Sequence, residues 1–255
     1  MGILNVTPDS FSGDGLTSLA DAVARAKAMV ADGADVIDIG GESTAYWKAG
    51  YQPVDVAEEL RRVLPIIKQL QAELPEAPIS IDTRKVEVAS EAVTAGATWI
   101  NNVEGIWDEG QMAKLAAEHG LPYVLMHNRH GADYDDLVVE VRDELVAAAA
   151  RAEAAGVGRD RLILDPGLGF GKTGRHNLEL LRRMRELTSL GYPILVGPSR
   201  KRFLGEILGT PEQDRVEGTA AAVALAIAGG ASAVRVHDVK PVARVVKVAD
   251  AIVRG

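Results

Sequence analysis

Short apolar runs rich in β-branched residues alternate along the chain with longer stretches rich in alanine and charge. The longer stretches repeat their apolar positions with the period of an α-helix that buries one face. The pattern predicts strands at residues 2–6, 35–40, 78–82, 98–102, 122–126, 161–165, 193–197 and 232–236. It predicts helices at residues 19–31, 56–73, 86–95, 109–118, 136–155, 177–190, 216–228 and 241–253.

The predicted strands are almost wholly apolar, which is typical of parallel strands covered on both faces. Eight strands alternating with eight helices predict an α/β protein with a closed (β/α)₈ TIM barrel, and a doubly wound sheet is the alternative. The 255 residues match the ~250 residues of one such barrel. No linker or low-complexity tract interrupts the chain, so residues 1–255 are expected to form a single domain.

Composition narrows the functional classes. The net charge of −8 disfavours a surface for nucleic acid or for an anionic membrane. The chain has no cysteine, which excludes disulfides and thiolate chemistry. It has neither an apolar run long enough for a membrane span nor the charged start of a signal peptide, so we expect a cytoplasmic protein.

Polar residues stand where the predicted strands end. In a barrel the chemistry lies at these ends, in the loops that lead to the helices. We therefore expect these side chains to converge on one mouth. They are Asn5, Glu42, Ser43, Thr44, Asp82, Asn101, Asn102, His127, Asp165, Ser199, Arg200, Lys201, Arg235 and His237.

Two carboxylates, Asp82 and Asp165, end strands that are otherwise apolar. Burying a carboxylate is costly unless it is paired or hydrogen-bonded. With the amide of Asn101, the two carboxylates suit a flat heterocycle that carries amino and lactam groups. The alternatives are that each caps the next helix or pairs with an arginine, or that the two bind a metal.

Basic residues follow the last two predicted strands. Ser199 is predicted to cap a helix whose first N–H groups attract an anion, and Lys201 is expected to reach into the mouth. Arg235 and His237 are two residues apart on a strand and therefore point to the same side. Together they predict a basic pocket for a phosphorylated substrate. A solvated basic turn at residues 199–203 is the alternative.

Residues 165–172 form a glycine-rich turn with the sequence Asp-Pro-Gly-Leu-Gly-Phe-Gly-Lys. The glycine spacing is not that of a P-loop. Glycines would let the backbone approach a flat ligand, with Phe170 available to pack against it. A plain tight turn is the alternative.

Six segments together resemble the dihydropteroate synthase family. They are residues 5–12, 40–44, 80–83, 165–172, 199–203 and 235–238, in the family's order and across most of the chain. The resemblance implies condensation of 6-hydroxymethyl-7,8-dihydropterin pyrophosphate with p-aminobenzoate. The products would be 7,8-dihydropteroate and pyrophosphate, and a homodimer is compatible with it.

The resemblance also implies the role of each site residue. Asp82, Asn101, Asp165 and Lys201 would hold the pterin; Asn5, Arg235 and His237 would hold the pyrophosphate, with Asn5 near a Mg²⁺. Phe11, Thr44 and Phe170 would flank p-aminobenzoate, and residues 7–16 and 43–52 would be mobile loops. The catalytic set would be Asp82, Asp165, Lys201, Arg235 and His237, because they stabilise charge that develops as the C–O bond breaks.

Three positions depart from the family pattern. Residues 45–49 stand in place of an Arg-Pro pair, Asn102 replaces an aspartate, and Asp14 is displaced by one position. These changes bear on turnover and on p-aminobenzoate affinity, so a non-catalytic or engineered pterin-binding paralogue is an alternative.

Two further alternatives fit less well. A barrel that moves a methyl group from a folate to a corrinoid would not need the basic pocket. A Schiff-base aldolase barrel would need a lysine within a strand, and no predicted strand contains one.

Overall fold

A computed structural model describes residues 1–6, 18–43 and 53–255. Across these residues eight strands follow one another in the barrel. They are β1 (Gly2–Asn5), β2 (Ile37–Gly40), β3 (Ile79–Asp82), β4 (Trp99–Asn102), β5 (Tyr123–Met126), β6 (Leu162–Asp165), β7 (Leu195–Val196) and β8 (Ala233–Val234). Strands β1 to β6 pair in parallel and in chain order, and β7 pairs with β8.

Two isolated parallel bridges complete the ring. Leu164 pairs with Ile194 between β6 and β7, and Gly2 pairs with Val236 between β1 and β8. Each strand therefore has a parallel neighbour on both sides, and the predicted (β/α)₈ barrel is confirmed. The doubly wound alternative is wrong, because an open sheet has two edge strands.

The helices surround this ring. They are α1 (Leu19–Ala31), α2 (Val56–Glu73), α3 (Val86–Thr94), α4 (Gln111–Glu118), α5 (Leu137–Ala154), α6 (Gly174–Arg182), α7 (Met184–Thr188), α8 (Arg202–Leu208), α9 (Val216–Ala228) and α10 (Val239–Arg254).

The predicted helix at 177–190 is two helices, α6 and α7. Helix α6 begins earlier than predicted because Thr173 and His176 form a reciprocal capping box at its start. Arg183 lies between the two helices and its guanidinium contacts Glu179 and Glu186. Helix α10 begins two residues before Pro241, which its first turn accommodates.

Alternation along the strands separates two apolar regions. Outward residues such as Leu4, Ile39, Ile81 and Leu164 pack against the helices in the main core. Inward residues Val124, Ile163 and Leu195 form a separate cluster inside the barrel. The barrel is thus filled by side chains below its mouth, as this fold requires.

The strand register brings predicted site residues to one level. Asn5 pairs with Gly40, Gly40 with Asp82, and Asp82 with Asn101, going from β1 to β4. These positions lie near the carboxyl ends of their strands, so the register places them side by side at the mouth.

Candidate active site

Arg235 lies just beyond β8, and its side chain reaches carboxylates on β2 and β3. Its Nη2 donates to Asp82 Oδ2 at 2.5 Å, and its Nε donates to Asp38 Oδ2 at 2.6 Å. Burial raises the pKa of Asp82 to about 7, although the charge of Arg235 opposes this shift. The alternative that Asp82 pairs with an arginine is therefore correct, but the partner is itself a predicted site residue.

Asp165 ends β6 on another side of the same mouth. Its Oδ1 accepts from the backbone N–H of Gly167 at 2.7 Å. Burial raises the pKa of Asp165 to about 6, while this hydrogen bond and Lys201 act in the opposite direction. Neither carboxylate caps the next helix, because Lys85 and Thr173 occupy the N-cap positions of α3 and α6.

The glycine-rich turn bends tightly beside Asp165. Gly167 has φ +68°, and a Cβ there would lie 1.9 Å from the carbonyl oxygen of His127. Both the conformation and the close approach therefore need a glycine. The turn carries Phe170, which packs with Val103 and Met126.

Lys201 extends over this apolar patch. Its ammonium lies 4.1 Å from the centre of the Phe170 ring, a cation–π distance. Burial lowers the pKa of Lys201 to about 8, and Arg235 lowers it further, whereas Asp165 and Asp82 raise it. Lys201 is thus a cation next to both carboxylates, as predicted.

Ser199 does not cap a helix, so that prediction is wrong. Lys201 is the N-cap residue of α8, without a side-chain capping bond. Ser199 Oγ instead accepts from the backbone N–H of His237 at 3.1 Å and lies 3.0 Å from His237 Nδ1. The tertiary contact with β8 competes with local capping and prevails.

This contact also changes the role of His237. Burial, followed by the charges of Arg200 and Arg235, lowers the pKa of His237 to about 3. The imidazole is therefore neutral, and Ser199 Oγ can donate its proton to Nδ1. Such a pairing leaves the ring proton on Nε2, so His237 supplies a hydrogen-bond donor rather than a second positive charge.

The two arginines of the basic turn bind carboxylates other than Asp82 and Asp165. Arg200 makes two hydrogen bonds to the carboxylate of Asp238, at 2.7 and 3.0 Å. Arg202 pairs with Glu206 on the exposed face of α8. The alternative of a solvated basic turn thus holds for Arg202, whereas Lys201 belongs to the site.

Lys172 stabilises the glycine-rich turn through hydrogen bonds to it and to His127. Its Nζ donates to the carbonyl oxygen of Phe170 at 2.9 Å and lies 2.9 Å from His127 Nδ1. Burial lowers the pKa of Lys172 to about 7. Its ammonium binds within the turn rather than pointing to a phosphate site, as expected for a turn that is not a P-loop.

Two strand-end residues face the helices rather than the mouth. Asn102 Nδ2 donates to the Tyr123 hydroxyl, which in turn donates to Asp108. His127 is fully buried, and its Nε2 lies 3.1 Å from Glu144 of α5. The prediction that all the strand-end groups converge is therefore wrong for these two, because each is adjacent to an inward residue and strand side chains alternate. It is also wrong for Arg200, which binds Asp238, and Glu42 accepts from Lys85 Nζ at the start of α3.

The remaining predicted residues have the following placement. Asn101 is buried, and its Nδ2 donates to Asp38 Oδ2 at 3.1 Å. Asn5 is half-buried at the end of β1. Phe11, Thr44, Asp14 and residues 45–49 lie outside the described residues.

A family model for pterin binding enzymes matches residues 1–237. The dihydropteroate synthase of Bacillus subtilis is 49% identical to this chain, and the match covers 99% of this chain and 87% of the Bacillus subtilis protein. This chain belongs to the dihydropteroate synthase family. The resemblance inferred from the six segments is confirmed.

Solved structures of dihydropteroate synthases agree with this assignment. The Clostridium difficile enzyme, crystallised in the presence of pteroic acid, is 46% identical with a TM-score of 0.94, covering 100% of this chain and 96% of that one. The Xanthomonas albilineans enzyme with 4-aminobenzoic acid is 44% identical with a TM-score of 0.92, covering 100% and 93%.

The departure from the dihydropteroate synthase pattern at Asn102 does not alter the mouth of the barrel. Asn102, which replaces an aspartate, belongs to the hydrogen-bond chain behind the barrel wall. The missing carboxylate is therefore not taken from the mouth. The other two departures lie outside the described residues.

Asp38 is a further residue of the site, which the strand-end pattern does not predict. It lies in the middle of β2 and is fully buried, yet it contacts both Arg235 and Asn101. The available signal was one aspartate between Ile37 and Ile39, because alternation places such a residue inside the barrel.

Proposed function

We propose that this chain condenses 6-hydroxymethyl-7,8-dihydropterin pyrophosphate with p-aminobenzoate to give 7,8-dihydropteroate and pyrophosphate. One observation carries the proposal. Two buried carboxylates, Asp82 and Asp165, share one mouth with the cations Lys201 and Arg235. The carboxylates suit a heterocycle rich in hydrogen-bond donors, and the adjacent cations suit an anionic leaving group.

Asp82, Asn101 and Asp165 would bind the pterin ring. A carboxylate accepts hydrogen bonds from ring N–H and amino groups, and burial strengthens such bonds. The pKa of Asp165 at about 6 leaves this group ionised at neutral pH. Phe170, with Val103 and Met126, supplies an apolar surface beside the ring.

The reaction forms one bond and breaks one. The arylamine nitrogen of p-aminobenzoate bonds to the pterin methylene carbon and loses a proton to solvent. The C–O bond breaks, and its electron pair leaves with pyrophosphate. The arylamine is neutral and nucleophilic at pH 7, so no strong base is required.

Stabilising the leaving group is the main task of the protein. Arg235 and Lys201 provide positive charge, and His237 Nε2–H provides a neutral donor. Charges that act in a buried, preorganised site stabilise a developing anion more than they would in water. The carboxylates of Asp82 and Asp165 would stabilise positive charge that develops on the methylene carbon.

Asn5 would hold a Mg²⁺ that accompanies the pyrophosphate. Its amide oxygen is a hard ligand, and Mg²⁺ often takes only one or two protein ligands together with waters and phosphate oxygens. Within residues 1–6, 18–43 and 53–255, no group of three acidic or histidine side chains offers a denser site. When bound, the ion would offset negative charge on the pyrophosphate.

A homodimer would use the apolar face shared by α9 and α10. Leu225, Val248 and Ile252 expose 64%, 61% and 78% of their surface there. Large exposed aliphatic groups on neighbouring helices mark an interaction surface, and one self-complementary patch suffices for a twofold dimer. The variant Val248→Lys should then sediment as a monomer; an unchanged sedimentation coefficient would argue against this interface.

The remaining expectations stay proposals. None of the helices described is long and apolar enough to cross a membrane. We propose a cytoplasmic protein that forms one domain over residues 1–255, takes the two small substrates and binds no nucleic acid or membrane. The net charge of −8 supports the last point.

A coupled assay of pyrophosphate release tests the function directly. Release should require both substrates and Mg²⁺ together. Tight pterin binding without release would favour the non-catalytic paralogue, and the absence of pterin binding would overturn the proposal.

A further inference from the structure

Asp38 is an unassigned carboxylate beneath the mouth. Its Cα pairs with Ile3 and Ser80, two positions before the level at which Gly40 pairs with Asp82. It is fully buried, whereas a barrel layer at this depth can be filled by aliphatic side chains. Desolvating a carboxylate is costly unless its partners compensate, so packing alone does not explain an aspartate at this position.

One oxygen of Asp38 connects two site residues from different strands. Oδ2 accepts from Arg235 Nε at 2.6 Å and from Asn101 Nδ2 at 3.1 Å. Arg235 would hold the pyrophosphate, and Asn101 would hold the pterin. The position of the pyrophosphate relative to the pterin ring thus depends on one buried oxygen atom of Asp38.

The geometry at Arg235 shows why two carboxylates are present. Asp38 holds the guanidinium through Nε, while Asp82 contacts the terminal Nη2 at 2.5 Å. A pterin that bonds to Asp82 would share that carboxylate with Arg235, because Oδ2 binds Arg235 while Oδ1 has no hydrogen-bond partner among the described residues. Asp38 would then remain as the counter-charge, so Arg235 could turn its terminal nitrogens to an anion without leaving its place.

We propose that Asp38 is a positioning residue, which fixes Arg235 and Asn101 relative to each other. The pterin methylene carbon and the departing pyrophosphate would then be held in line with the attacking arylamine nitrogen. The inference rests on the proposed function for its substrates. The contact between Asp38 and Arg235 stands independently of turnover.

The test compares Asp38→Asn with Ser80→Ala. Ser80 is fully buried on the same inner side and is the register partner of Asp38. Calorimetry with pyrophosphate and Mg²⁺ should show at least a tenfold loss of affinity in Asp38→Asn and wild-type affinity in Ser80→Ala. Pterin affinity should fall less, because an asparagine oxygen can still accept from Asn101.

A double-mutant cycle separates positioning from a general structural role. In an Arg235→Lys background, Asp38→Asn should cause little further loss of pyrophosphate affinity, because its effect passes through the guanidinium. Losses that simply add, or equal affinities in Asp38→Asn and wild type, would overturn the inference. If Asp38→Asn does not fold, Asp38→Ser serves the same comparison.

Turnover then separates the two proposals. If Asp38 acts as inferred, kcat for folded Asp38→Asn should fall at least tenfold, with a smaller change in KM for p-aminobenzoate. If the wild-type chain binds pyrophosphate but releases none from the two substrates, the proposed function fails, and the binding cycle still decides whether Asp38 positions Arg235.

Discussion

Replacing Gly167 by alanine tests whether the glycine-rich turn shapes the pterin pocket. The added Cβ would lie 1.9 Å from the His127 carbonyl oxygen, a backbone atom that cannot rotate away. The separation must widen by more than about 1 Å to reach ordinary van der Waals contact. The required movement should pull the Gly167 N–H away from Asp165 Oδ1, which it contacts at 2.7 Å.

The chain offers a matched control in Gly209→Ala. Gly209 has φ +70°, close to the +68° of Gly167, but a Cβ there meets no atom within 4 Å. Both variants should lose about 1–2 kcal/mol from left-handed backbone strain. Gly167→Ala should lose about 1.5–3 kcal/mol more, because a hydrogen bond to a charged group is weakened.

Two measurements check this reasoning. Urea denaturation should place Gly167→Ala below Gly209→Ala in free energy of unfolding. Pterin affinity should fall about 10–100-fold in Gly167→Ala alone, since a displacement near 1 Å misplaces the carboxylate that binds the ring. Equal stabilities together with an unchanged pterin affinity would refute the argument.

Three further substitutions have distinct expected outcomes. Asp165→Asn should abolish pyrophosphate release. Folding raises the pKa of Asp165 from 3.8 to about 6, so the stability this carboxyl contributes is complete below pH 3.8 and is lost as pH rises through 6. Wild type should therefore lose about 2.5 kcal/mol relative to Asp165→Asn between pH 4 and pH 8, measured by denaturation at both values. Lys201→Ala should abolish release with little change in Tm, whereas low Tm with retained specific activity would make Lys201 structural. Asn102→Asp should leave kcat unchanged and lower stability by about 1–3 kcal/mol, because its carboxylate would face the Tyr123 oxygen; a change in kcat would contradict the outward orientation.

The sequence was sufficient where local pattern decides the structure. Apolar runs predicted the strands, and polar residues at their ends predicted Asp82, Asp165, Lys201 and Arg235 as neighbours. It failed where tertiary contacts decide. Ser199 has the chemistry of a helix cap but bonds to His237, which follows the neighbouring strand β8.

Two other differences have a physical cause in the strand geometry. Position at a strand end predicted that Asn102 faces the mouth, but strand side chains alternate and Asn101 beside it points inward, so Asn102 points outward. Asp38 lies mid-strand, where a pattern of polar residues at strand ends does not predict a site residue. The protonation of His237 could not be predicted, because it depends on burial and on Arg200 and Arg235 together.

Backbone pairing between neighbouring strands is not equally extensive around the barrel. Strands β1 to β6 form one continuous ladder, while β7 and β8 pair over two residues and meet the larger sheet through single bridges at Leu164 and Gly2. The groups proposed for pyrophosphate, apart from Asn5, follow the small sheet, and the pterin carboxylates follow the large one. Amides of β7 and β8 should therefore exchange hydrogen with solvent before those of β2 to β5. A substrate that contacts both sheets would cross-link them, so binding should slow exchange at the junctions far more than in the rest of the wall.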